Sequence, residues 1–127
     1  MRTKLLVFFT LILSAVFAAN AEDYYCFTGT IGKSNVSGSI TMYGSNNASV
    51  GTVLGSYSYK GFSGALNLKG SWKPAGQGKR SLTLTEVDKK GAVSATWNIV
   101  FDDYNMTFMG TMKNKKGKTY RVQLFIE

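Results

Sequence analysis

The chain has 127 residues with 15 basic and 7 acidic side chains, a formal charge of +8, one Cys and no His. Without His it lacks the commonest general base and the commonest metal ligand. One Cys can build neither an intrachain disulfide nor a zinc site, and this length suits a single domain.

Arg2 and Lys4 precede an apolar stretch, Leu5 to Phe17, followed by the small residues of Ala19-Asn20-Ala21. This is the layout of a cleaved signal peptide, and the stretch is too short for a membrane span. We therefore expect residues 1–21 to be a leader cut after Ala21, residues 22–127 to be one domain, and the product to be secreted or periplasmic. Loss of Arg2 and Lys4 lowers the net charge to +6.

From residue 23 onward, apolar and polar residues alternate with the period of two that marks a strand with one dry face. The inward sets are Tyr25, Phe27, Gly29, Ile31; Val36, Gly38, Ile40, Met42; Val53, Gly55, Tyr57, Tyr59; and Leu66, Leu68, Gly70, Trp72. Leu82, Leu84, Glu86 follow, then Val93, Ala95, Trp97, Ile99, Phe101; Tyr104, Met106, Phe108, Gly110, Met112; and Tyr120, Val122, Leu124, Ile126. The breaks between them are short and turn-rich: Gly32 to Asn35, Gly44 to Asn47, Lys60 to Phe62, Lys73 to Gly78, Asp88 to Gly91, Asp102-Asp103 and Asn114 to Gly117. None can hold a crossover helix, so sequence neighbours should be sheet neighbours. The expected fold is all-β, an eight-stranded antiparallel up-and-down barrel, with a two-layer β-sandwich as the alternative. The inward glycines favour closure, because strands that coil around a narrow axis need such positions.

Tyr57-Ser58-Tyr59, Leu66-Asn67-Leu68-Lys69-Gly70 and Leu82-Thr83-Leu84-Thr85-Glu86 resemble successive strands of small secreted bacterial barrels of the calycin-like type, the lipocalin and avidin superfamily. The resemblance implies the eight-stranded barrel and no particular ligand. Gly29-Thr30-Ile31 stands where a lipocalin carries Gly-x-Trp, and the avidin biotin-binding set is not visible, so no family binding residue is carried over.

The seven acids are scattered and no phosphate-cradling loop is readable, so we expect no enzyme, no cofactor and no metal site. Glu86 stands out because it shares the inward phase of Leu82 and Leu84, and a buried carboxylate must be paired, hydrogen-bonded or protonated. It could anchor a pocket at a barrel mouth walled by Tyr57, Tyr59, Trp72 and Trp97. The simpler reading is a structural hydrogen bond to a Tyr hydroxyl or a backbone amide. Cys26 follows Asp23-Tyr24-Tyr25, which is no lipobox; an intermolecular disulfide is one use for it, and a small apolar residue on the first strand is the plainer one. Asn35-Val36-Ser37, Asn47-Ala48-Ser49 and Asn105-Met106-Thr107 match the N-glycosylation pattern at a frequency that chance explains.

In an up-and-down barrel the odd-numbered connections share one end. That end collects Lys33, Lys60, Lys89, Lys90, Lys113, Lys115, Lys116 and Lys118, whereas Lys73, Lys79 and Arg80 go to the other end beside Asp102 and Asp103. A positive end could take an anionic glycan, a lipid surface, an anionic small molecule or nucleic acid. Soluble turn lysines that block edge association are the plain alternative. The leading expectation is a secreted, non-enzymatic binding barrel. Its rivals are a secreted inhibitor of an acidic hydrolase and an envelope-associated structural protein with no soluble ligand. A lysozyme target is disfavoured, since lysozymes are mostly basic.

Overall fold

A computed structural model describes residues 22–44 and 49–127; the expected leader, residues 1–21, and part of the second expected turn, with Asn47 and Ala48 of one glycosylation pattern, lie outside the described residues. Eight strands follow one another: β1 (Glu22–Ile31), β2 (Ser34–Tyr43), β3 (Gly51–Tyr59), β4 (Leu66–Pro74), β5 (Lys79–Val87), β6 (Val93–Asp102), β7 (Thr107–Asn114) and β8 (Thr119–Ile126). Each pairs antiparallel with the next, and β8 returns to β1 with Phe27 opposite Ile126 and Ile31 opposite Val122. The fold is a closed eight-stranded antiparallel up-and-down barrel. Closure pairs every strand on both sides, which removes the sandwich alternative and leaves no sheet edge to blunt.

The alternation decides what lies inside. Phe27, Ile40, Met42, Val53, Tyr57, Leu68, Trp72, Leu82, Leu84, Trp97, Ile99, Phe108 and Leu124 are buried along the axis. A barrel of eight strands is only just wide enough for its own side chains, and here they fill it. The inward glycines mark close backbone approach. A Cβ on Gly38 would lie 2.1 Å from the Ser56 carbonyl oxygen and 2.7 Å from Tyr57 Cα; on Gly29 it would lie 2.0 Å from the Gln123 carbonyl oxygen. Strands coiled this tightly press a neighbour's backbone against the bare Cα, so a side chain there would force the ladder apart.

Three expected inward residues are corrected. Val93 is 53% exposed, because a register shift between Glu86 and Val87 takes the start of β6 out of phase. Tyr104 is 92% exposed and Met106 is partly exposed with φ of 55°. Both sit in a turn, not in β7. The Asp102 side chain accepts the N–H groups of Tyr104 (3.0 Å) and Asn105 (3.1 Å), and the Met106 N–H reaches the Asp102 carbonyl at 2.8 Å. Those bonds hold residues 103–106 in the turn, with the Met106 carbonyl still reaching β8 through the Ile126 N–H at 3.0 Å. The N–H of Asn105, and after it the Asn105 side chain and the Tyr104 N–H, stabilise the ionised carboxylate, so the Asp102 pKa lies below its usual value. Among the described residues no helix is long and apolar enough to cross a membrane, a statement that does not extend to strands.

Candidate functional site: a lysine-ringed mouth

The β1–β2, β3–β4, β5–β6 and β7–β8 connections lie at one end of the barrel, as a closed meander requires. The first is a two-residue hairpin, Gly32-Lys33, with Gly32 at φ of 60°. The third and the last are built alike. In Asp88-Lys89-Lys90-Gly91, the Asp88 carboxylate accepts the N–H groups of Lys90 (2.9 Å) and Ala92 (3.0 Å). In Asn114-Lys115-Lys116-Gly117, the Asn114 amide oxygen accepts those of Lys116 and Lys118, both at 3.0 Å. Gly91 and Gly117 supply φ of 84° and 86°, a conformation that side-chain-bearing residues rarely adopt. The side-chain bond and the glycine fix each turn, and each turn carries a lysine pair on its crest. The two hairpins are two strand positions apart, roughly 10 Å at normal strand spacing. Lys33, Lys60, Lys113 and Lys118 complete the set, the last with its Nζ 5.5 Å from the centre of the Tyr120 ring.

The carboxylates segregate the other way. Only Asp88 and the buried Glu86 belong to the lysine-rich end. Glu22, Asp23, Asp102, Asp103 and Glu127 lie at the opposite end, with Lys73, Lys79 and Arg80. Fixed charges separated like this give the molecule a field along the barrel axis.

Within the lysine ring the barrel opens into a depression of about 440 Å³ walled by Ile31, Tyr59, Phe62, Met112 and Tyr120. Glu86 is on its floor and is 5% exposed. Its Oε1 accepts the Tyr57 hydroxyl, and the Trp97 indole N–H at 3.1 Å; its Oε2 accepts the Ser94 hydroxyl at 2.6 Å. Tyr57 packs edge-on against Trp97 with ring centres 5.1 Å apart, and its hydroxyl lies 3.5 Å from that of Tyr59. Burial, and after it the Glu86 carboxylate, push the Tyr57 hydroxyl far above its ordinary pKa. Burial also raises Tyr59. Three donors thus hold Glu86, so it orients the floor of the mouth, as the simpler sequence reading has it.

The structure brings Tyr57, Tyr59 and Trp97 to Glu86 and leaves Trp72 out. Trp72 is buried at the opposite end, opposite Leu82 and Gly51, with its indole N–H on the Tyr43 carbonyl at 2.9 Å. Alternation assigns a face but not a height along the barrel, and Trp72 is two residues from the fourth connection. Trp97, fully buried, supports the floor and is not a wall. At Trp72's end sequence reasoning missed a second depression, about 410 Å³, lined by Asp23, Tyr25, Arg80 and Asp103 among others. Arg80 lies 4.0 Å above the Trp72 ring and donates to Asp23 at 3.3 Å, so it plugs this end instead of extending into solvent. Burial and the carboxylates of Asp23 and Asp103 raise the Tyr25 pKa. The sequence signal was that Arg80 shares the inward phase of Leu82, Leu84 and Glu86; the structure adds that it lies opposite Phe101. Cys26 is a free, exposed thiol on β1, in the outward phase between Tyr25 and Phe27, with its sulfur 3.4 Å from the Tyr24 hydroxyl.

Comparison with family models, curated proteins and solved structures finds no match.

Proposed function

We propose that this protein is a secreted, non-enzymatic binding barrel that engages an anionic ligand or surface through its lysine-rich end. The observation that carries the reading is the separation of charge: eight lysines circle one open apolar mouth, and five carboxylates face the other way. The lysine pairs sit on turns with fixed backbones, so presenting them costs little ordering. The leader-like composition of residues 1–21 supports export.

The test is retention on heparin and on anionic vesicles across a salt series. Exposed charges are screened beyond about 8 Å at physiological ionic strength, so retention should fall steeply with salt. Reversal to Glu at Lys89, Lys90, Lys115 and Lys116 should abolish most of it with stability nearly unchanged, since exposed turn lysines add little to folding. Reversal of Lys73 and Lys79 is the control and should leave retention near the parent's. Arg80 is excluded from that control because it packs on Trp72. Equal retention of all three proteins would refute the reading.

A further inference from the structure

We infer that the anionic partner is a phospholipid leaflet, with Phe62 as the side chain that enters it; the inference rests on the lysine-end reading and goes one step past it. Residues 60–65 join β3 to β4 at the lysine-rich end. Gly61 and Gly64 hold φ of 87° and 94°, and the Phe62 N–H donates to the Tyr59 carbonyl at 3.1 Å. The turn so formed lifts Phe62 off the barrel, where it is 76% exposed. Phe62 thus stands exposed at the lysine-rich end while lining the two depressions there.

Its surroundings are cationic and apolar together. Lys60 precedes it, with its own N–H tied to the Asn35 carbonyl at 2.9 Å. Lys89 reaches across the loop: a Cβ on Gly64 would lie 2.4 Å from its Cε and 2.5 Å from its Nζ. Phe62 stands between two depressions of about 440 Å³ each, the mouth above Glu86 and a second one lined by Tyr59, Leu66, Lys89 and Lys90. An apolar tip with apolar flanks inside a ring of ammonium groups matches a leaflet, in which phosphates lie over acyl chains: the ring reaches the boundary while the lysines stay at headgroup level. A sulfated glycan would satisfy the lysines without offering Phe62 an acyl-chain interior.

The experiment compares the parent, Phe62→Ala and Phe62→Trp on phosphatidylcholine vesicles with and without phosphatidylglycerol, and on heparin. Phe62 is exposed, so both variants should keep the fold, which circular dichroism checks. The parent should bind only the vesicles containing phosphatidylglycerol. Phe62→Ala should weaken that binding on the order of tenfold, the scale of one aromatic side chain removed from an apolar environment, with heparin retention unchanged. The indole of Phe62→Trp should be quenched by brominated acyl chains, whereas Trp72 and Trp97 are buried and out of reach. Undiminished vesicle binding by Phe62→Ala, an unquenched new indole, or equal binding to both vesicle types overturns the inference. A parent that binds heparin but no vesicle overturns it and leaves the lysine-end reading intact; a parent that binds neither removes both.

Discussion

Replacing Glu86 with Ala should destabilise the barrel by about 3 kcal/mol, and the figure follows from the bonds that converge on one carboxylate. Glu86 takes the Tyr57 hydroxyl and the Trp97 indole on one oxygen and the Ser94 hydroxyl on the other. Tyr57 and Trp97 are buried, so both donors lose their partner; the Tyr59 hydroxyl, 3.5 Å from that of Tyr57, is an alternative acceptor already beside them, and it lowers the cost for Tyr57. A buried donor left unsatisfied costs about 1–3 kcal/mol, which sets about 2–6 kcal/mol for the two. Ser94 adds little, because its hydroxyl already lies 3.4 Å from the Glu86 carbonyl. Some of the loss is offset, since the variant no longer desolvates a carboxylate. Glu86→Gln keeps the shape and an accepting oxygen, and the Ser94 hydroxyl can turn to accept from the amide, so its loss should be near 1 kcal/mol. Urea unfolding followed by circular dichroism reads both variants as a change in midpoint at constant slope. A loss below about 1 kcal/mol for the Ala variant would refute the reasoning, for the two donors would then have found partners.

Trp97→Ala should cost about 3–5 kcal/mol by chemical denaturation, because the ring is fully buried against Tyr57; a loss under about 1 kcal/mol would contradict its place in the core. Gly38→Ala should destabilise by about 1–3 kcal/mol in thermal unfolding, since the added methyl meets backbone of β3, which cannot turn aside. Stability should also fall in alkali. Tyr57, Tyr59 and Tyr25 have folded-state pKa values above the ordinary one. The folded chain therefore keeps protons that the unfolded chain releases, so the stabilisation is complete below about pH 10 and is lost as pH rises further. Urea midpoints measured across that range should decline for the parent and decline less steeply for Tyr57→Phe.

Strand number, inward faces and the end to which each connection goes were legible in the sequence, because they depend on local chemistry: a period of two, turn residues and short breaks. The gathering of Lys33, Lys60, Lys89, Lys90, Lys115 and Lys116 follows from counting connections in a meander, and Glu86 announced itself as a charge in an apolar phase. Trp72's distance from Glu86 was readable from its nearness to the fourth connection, had height been weighed along with face. Other features came only from tertiary structure. Closure was expected from the inward glycines, but the β1–β8 register that effects it, Phe27 opposite Ile126, is encoded by no local pattern. The register shift at Glu86 and Val87 arises from fitting particular strands together and turned Val93 outward against its phase, and the Asp102-bonded turn, with Met106 at positive φ, turned Tyr104 and Met106 outward. The Arg80 plug over Trp72 and the exposure of Phe62 between two depressions also needed the assembled barrel. Alternation tells a side chain which face it takes; only packing around a closed axis fixes its height, its neighbours and whether it meets water.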